Sequence, residues 1–168
     1  MKVAPIIVSA RFGDVDHAYL DGLRRAHFPP ERNQIAAHLT MFHHLSPDVE
    51  AELNGRLAGY AAGSAPQAML AGVMDLGAGT ALRVASEELE AIRADLADAF
   101  RTLLTPQDRA GWRPHVTIQN KVTTAESRKL QADLKATFQP RPLRIKGLAS
   151  WRYMGGPWEP IRRFSFRG

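Results

Sequence analysis

His38-Leu39-Thr40-Met41-Phe42 recurs in outline as His115-Val116-Thr117-Ile118-Gln119. In a β-strand successive side chains point to opposite faces, so each His shares a face with its Thr. Leu39 and Met41, or Val116 and Ile118, then point the other way, into a core. Two such strands brought together supply two imidazoles that can exchange protons and two hydroxyls that can hold a phosphate. That set suffices to open a phosphodiester without a metal. With 6 His in the chain, two His-x-Thr matches arise by accident in roughly 3 per cent of shuffled sequences, so the surrounding spacing has to carry part of the weight.

It does. The motifs lie 77 residues apart, and the same shift maps Pro29, Arg32, Leu53 and Leu57 onto Pro106, Arg109, Leu130 and Leu134. Leu39 maps onto Val116 and Leu45 onto Val122. Ser46 and Thr123, each eight residues past its His, are good helix N-caps, and Thr123 has Glu126 where a capping box wants it. The pattern is a duplicated strand-to-helix unit.

At 168 residues, 45% hydrophobic and 23% charged, the composition is that of a single globular domain. The repeat divides residues 1–168 into halves of about 1–77 and 78–155, with a C-terminal strand over 156–168. There is no Cys, which excludes disulfides, thiol nucleophiles and cysteine zinc sites. No stretch has the length and apolarity of a membrane span, so no membrane partner is expected. The apolar opening Val3 to Ala10 approaches a minimal signal-peptide core, but its β-branched residues suit a first strand. A cytoplasmic monomer is the default expectation. Basic residues outnumber acidic ones 22 to 17, and 17 of them are Arg. The planar guanidinium fork makes paired hydrogen bonds to phosphate, so the clusters Arg24-Arg25, Arg141 to Lys146, and Arg162-Arg163 with Arg167 favour an anionic partner such as RNA.

Along the chain, Val3 to Ser9 reads as a strand, and Asp14 can cap a helix that stops before Pro29-Pro30. The first His strand spans about Ile35 to Phe42. A helix begins after Ser46 with Pro47 at its first position. Gln67 to Leu76 and Thr80 to Ala85 read as strands around the Gly77-Ala78-Gly79 turn, the boundary between halves. The helix after Ser86 carries an apolar stripe of Leu89, Ile92, Leu96, Phe100 and Leu103, and Pro106 ends it. The second His strand spans about Arg113 to Lys121, a helix capped by Thr123 ends before Pro140, and strands at about Leu143 to Met154 and Arg162 to Phe166 finish the chain.

The paired His-x-Thr strands, half a chain apart and each set in the order strand, helix, His strand, helix, strand, resemble the 2H phosphoesterase superfamily. Within it the chain is similar to the bacterial 2′-5′ RNA ligase or RNA 2′,3′-cyclic phosphodiesterase (LigT-like) group over essentially its full length. Phe28-Pro29-Pro30 leading to Ala37-His38-Leu39-Thr40, Trp112-Arg113-Pro114-His115-Val116-Thr117, and Trp151-Arg152-Tyr153 with Gly155-Gly156-Pro157-Trp158 carry the likeness. Met41 and Ile118 stand where the family often has Leu. The resemblance implies an α+β fold of two pseudo-twofold lobes, each an antiparallel sheet backed by helices, with the active-site groove between them. It implies catalytic His38 and His115, phosphate-binding Thr40 and Thr117, no cofactor and no metal. By family analogy His38 is the acid and His115 the base. The implied partner is an RNA or nucleotide with a cyclic phosphate, opened to a 2′-phosphate. A 2′-5′ RNA ligase using the same site and a non-catalytic RNA-binding module are the alternatives.

Other residues read more plainly. His43 and His44, at the end of the first His strand, read as surface or turn residues. A zinc site from His38, His44 and His115 lacks a recognised spacing and a nearby carboxylate. His27, near the end of the first helix, can simply favour its dipole. Trp151 and Tyr153 can stack on a base or fill the core. Arg113 lies close to the second motif, and the sequence leaves the facing of Arg83 open.

Overall fold

The computed structural model describes residues 4–167. Seven strands and five α-helices alternate along them: β1 (Ile6–Phe12), α1 (Asp14–His27), β2 (Leu39–Leu45), α2 (Glu50–Ala61), β3 (Gln67–Asp75), β4 (Thr80–Ala85), α3 (Glu87–Ala99), α4 (Pro106–Arg109), β5 (His115–Gln119), α5 (Thr124–Thr137), β6 (Arg141–Tyr153) and β7 (Trp158–Ser165). The fold is α+β, with an antiparallel sheet backed by helices. Strand order is β2-β1-β6-β3-β4-β5, with β7 also on β6.

The 13-residue β6 is the spine. Its first residues, Arg141 to Arg144, pair with β3, while its remainder pairs with β1 and β7. One sheet part is therefore β2-β1-β6-β7 and the other β6-β3-β4-β5. β3, expected to close the first half of the chain, lies in the same sheet part as β4 and β5, because the Gly77 turn makes β3 and β4 a hairpin. Gly77 adopts φ +83, a left-handed conformation that Gly enters without steric cost. A Cβ on the neighbouring Gly79 would stand 2.1 Å from the Gln119 carbonyl, so β5 can close onto the hairpin only over a glycine.

Several boundaries differ from those the sequence suggests. β1 begins at Ile6, since Pro5 has no N–H to enter the ladder, and runs on to Phe12; Val3 lies outside the described residues. Gly13, not Asp14, occupies the N-cap of α1. Ser46 does accept from the Asp48 N–H, but it caps a short 3-10 turn, Pro47–Val49, ahead of α2. α3 stops at Ala99, leaving Leu103 half exposed. Pro106 starts α4 rather than ending α3: its missing N–H costs nothing at a first helical position, and Thr105 Oγ1 caps the turn. Thr123 caps α5 as expected, accepting from the Glu126 N–H at 3.1 Å.

One core joins the two sheet parts. Ile6, Val8, Leu39, Leu70, Leu82, Val116 and Leu148 from the strands meet Leu20, Leu53, Leu57, Leu89 and Leu96 from the helices, all fully buried. α5 is fastened differently, by buried polar groups. Ser127 Oγ donates to the Gly77 carbonyl at 2.9 Å and Gln131 Nε2 to the Gly79 carbonyl at 3.1 Å. These bonds tie α5 to the turn that aligns β4 with β5.

Candidate active site

The motif strands β2 and β5 end the sheet at opposite sides, and the sheet curves until they touch. Strand edges leave unpaired N–H and C=O groups; here each motif strand is gripped by side chains that follow or precede the other. Arg24 of α1 donates to the Thr117 carbonyl at 3.0 Å. In return Trp112 Nε1 donates to the Thr40 carbonyl at 3.1 Å and Arg93 Nε to the Met41 carbonyl at 2.9 Å. Asp108, 1% exposed, accepts the backbone N–H groups of both His43 and His44. The hold is reciprocal, so the two His-x-Thr segments face one another across a fixed gap.

That gap is a cavity of about 300 Å³ lined by His38, Thr40, His115 and Thr117 together. All four residues expected from the sequence meet there. β5 behaves as its alternation dictates: His115 and Thr117 turn to the cavity while Val116 and Ile118 are fully buried. β2 begins later than expected, at Leu39, because the Ala37 N–H is taken by the Asp21 carboxylate at 2.9 Å.

The two imidazoles are oriented alike. His38 Nδ1 lies 2.8 Å from the Ala36 carbonyl and His115 Nδ1 2.6 Å from the Arg113 carbonyl, each two residues upstream. A carbonyl only accepts, so Nδ1 carries the proton in both rings and Nε2 is the nitrogen without one. Both motif imidazoles thus share one tautomer.

A third imidazole joins them. In β2, Thr40 pairs with Ser9 and Phe42 with Val8, so β2 spends an extra residue against β1. Such a bulge reverses which face later residues take. Met41 and Phe42 are consecutively buried, and His43 emerges on the same cavity as Thr40. Its Nδ1 is 3.1 Å from Asp108 Oδ1. Burial alone would raise the Asp108 carboxyl pKa, but bonds from the His43 ring and from the His43 and His44 N–H groups hold it below the usual carboxylate range. His43 is exposed, as the sequence suggests, but the bulge turns it onto the cavity, which alternation by itself does not reveal.

Trp158 covers His38, its ring centroid 4.5 Å away. Burial, reinforced by the charges of Arg24, His43 and His115 and opposed by the bond to Ala36, pushes the His38 pKa down to about 4. Its ordinary value is 6.5, so between these values the unfolded chain binds the extra proton. The stabilisation is whole above pH 6.5 and is lost as pH falls toward 4. We expect His38 to cost the native state roughly 2 kcal/mol on going from pH 7.5 to pH 5. Urea unfolding at the two pH values measures it, and His38→Gln should lose that part of the slope; an unchanged slope places the ring in a wetter setting.

The remaining candidates separate. Arg113 lines the cavity. Arg83 is exposed beside it on β4, paired in register with His115. Tyr153 is exposed and apart from the cavity, and Trp151 lines a neighbouring one, its Nε1 donating to Ser9 Oγ at 2.8 Å. Asp108 and Arg93 lay outside the sequence reading because they act on β2 from other elements, 65 and 52 residues away.

The profile of the 2′-5′ RNA ligase superfamily matches residues 12–157. No curated protein sequence matches. Among solved structures, a phosphoesterase superposes with a TM-score of 0.68 at 18% identity, covering 99% of this chain and 100% of its own. E. coli LigT complexed with 3′-AMP gives 0.67 at 16% identity, covering 99% and 100%. TT0787 of Thermus thermophilus gives 0.66 at 15% identity, covering 98% of each chain. At these identities the structures speak for the fold. Among the described residues no helix is long and apolar enough to cross a membrane.

Proposed function

The chain belongs to the 2′-5′ RNA ligase superfamily, and on that premise we propose that it is a metal-independent phosphodiesterase opening 2′,3′-cyclic phosphate ends of RNA or nucleotides to 2′-phosphates. The observation that carries this reading is the pair of imidazoles in one cavity, each with Nδ1 tied to a carbonyl and Nε2 left free. One Nε2 takes a proton from water as its oxygen attacks phosphorus. The other gives a proton to the ribose O3′ as the P–O3′ bond breaks. The product is a 2′-phosphate beside a free 3′-hydroxyl, and the two rings exchange protonation states. Thr40 and Thr117 hydroxyls donate to the non-bridging oxygens, where charge builds in the transition state; one such donor is worth about 3 kcal/mol.

With a pKa of about 4, His38 is neutral in the ligand-free protein at pH 7. A ring in that state fits the base in the opening direction. Acting as the acid, which the family resemblance implies for His38, requires the anionic phosphate to charge it first. The pH dependence of kcat/KM separates the two, since the acidic limb reports the base of the free enzyme.

The direct test is incubation of a short RNA bearing a 2′,3′-cyclic phosphate end in EDTA, with the linkage of the product determined. We expect conversion to a 2′-phosphate at an unchanged rate when EDTA is added. A 3′-phosphate product overturns the proposed bond cleavage, and loss of activity in EDTA overturns the metal-free mechanism. Joining of two RNA ends through a 2′-5′ bond, with no hydrolysis, identifies the same groove as a ligase; tight RNA binding without either reaction identifies a binding module.

A further inference from the structure

A second cavity, about 410 Å³, lies on the other side of His38 and Trp158, and these two side chains line both spaces. Its polar walls are Arg11 of β1, Lys146 of β6 and Arg163 of β7, with Asp14 and His17 from the first turn of α1. Asp14, the one carboxylate lining it, is paired with Lys146 at 3.3 Å. Among the described residues neither Arg11 nor Arg163 has a carboxylate within salt-bridge distance.

Register explains how the two arginines come together. Thr40, Ser9, Ala149 and Arg163 are directly paired across β2, β1, β6 and β7, and directly opposed residues share a face. Arg11 opposes Gly147 in the next row of that face. In those rows the middle strand presents two small residues, Gly147 and Ala149, and the register shift beside Arg11 brings Lys146 to the same cavity. Gly147 cannot be replaced, since a Cβ there would stand 2.1 Å from the Phe164 carbonyl. Burial lowers the Arg11 pKa, and Arg163 lowers it further against the opposing pull of Asp14. Two like charges over a small-residue floor describe the walls of an anion site. The floor lies two strands from Thr40, on the order of 10 Å, which is too far to serve the same phosphate and near enough to serve its neighbour.

We propose that Arg11 and Arg163, with Lys146 beside them, form a second phosphate subsite that binds the phosphate on the 5′ side of the nucleotide whose cyclic phosphate occupies the catalytic cavity. The ligand is then a ribose carrying phosphates on both sides, supplied by an RNA strand end or by a 5′-phosphorylated nucleotide, and not a bare cyclic nucleoside. Trp158, at the border of the two cavities, lies beside the sugar and base that connect the phosphates. The identity of the group in the catalytic cavity rests on the phosphodiesterase reading; the cation pair and its spacing do not.

The test is a binding measurement, so it stands whether or not the cyclic ester is turned over. Quenching of Trp fluorescence gives Kd for adenosine 2′-monophosphate, adenosine 2′,5′-bisphosphate and a diadenosine dinucleotide ending in a 2′-phosphate. We expect the second phosphate to tighten binding at least tenfold in one or both of the latter. In Arg11→Gln and Arg163→Gln that ratio should fall to about twofold; both residues are on the surface side of the sheet, and circular dichroism checks their folding. Tightening with the bisphosphate assigns the subsite to free nucleotides as well as RNA, and tightening only with the dinucleotide assigns it to RNA ends. Equal affinity for all three, or a ratio that survives both substitutions, overturns the proposal. Failure of the cyclic-ester assay alone, with the ratio intact, overturns the phosphodiesterase reading instead.

Discussion

His38→Ala and His115→Ala should each lower kcat on a 2′,3′-cyclic phosphate end by about 10³-fold, within the 10²–10⁴ range of a positioned general acid or base. Neither ring has a structural duty that would make the protein collapse without it. Each makes one hydrogen bond to a carbonyl two residues upstream and stands at the cavity wall. The double variant should be scarcely slower than either single one, because acid and base act on one transition state and lose their effect together. Single-turnover rates, with Trp fluorescence to confirm that ligand still binds, separate loss of chemistry from loss of affinity. A variant that keeps more than a tenth of the wild-type rate removes its imidazole from the reaction. His43→Ala provides the comparison: the ring shares the cavity but is committed to Asp108 through Nδ1, so its loss should alter affinity more than the rate.

The second large effect is on stability. Arg93, 7% exposed, donates to the Met41 carbonyl at 2.9 Å and to the Asp108 carbonyl at 2.7 Å, and its guanidinium stacks 4.1 Å from the Phe42 ring. Burial lowers its pKa, and the charge of Asp108 opposes that shift. Arg93→Ala leaves two buried carbonyls without their donor and removes the cation from the face of the Phe42 ring. Each buried carbonyl left unsatisfied costs about 1–3 kcal/mol, about 2–5 kcal/mol for the two, a fall in Tm of roughly 10 °C for a chain of this size. Arg93→Met refills most of the volume but supplies neither donor nor charge, and should recover only part of the loss. Urea unfolding at pH 7 measures both; a cost below about 1 kcal/mol for the Ala variant would mean that water replaces the guanidinium at no expense. Because the same guanidinium holds the backbone of β2 beside Thr40, the surviving folded variant should also bind phosphate ligands less tightly.

His38, Thr40, His115 and Thr117 are legible in the sequence because their chemistry and their alternation lie within five-residue segments, repeated at a constant shift. The cap of α5 is legible for the same reason: Thr123 accepts from the N–H three residues on. Leu103 reads wrongly as core because an apolar stripe says nothing about where Phe100 leaves the helix. Pro106 reads wrongly as a stop because proline fits equally just after one helix and at the first position of the next.

His43 marks the boundary between what sequence and tertiary structure each determine. Local spacing determined that two imidazole–hydroxyl strands exist, that their apolar neighbours are buried, and that each is followed by a capped helix. Only the folded chain decided that β3 belongs with β4 and β5, that β2 carries a bulge turning His43 into the cavity, and that Asp108, Arg93, Trp112 and Arg24 clamp the edges of the motif strands. Likewise Arg11 and Arg163 become neighbours only because β1 and β7 flank the small residues of β6. Alternation and capping act over a few residues and leave their period in the sequence. Strand pairing, bulges and buried charge compensation join residues tens of positions apart, and their partners are chosen by the packing of the whole core.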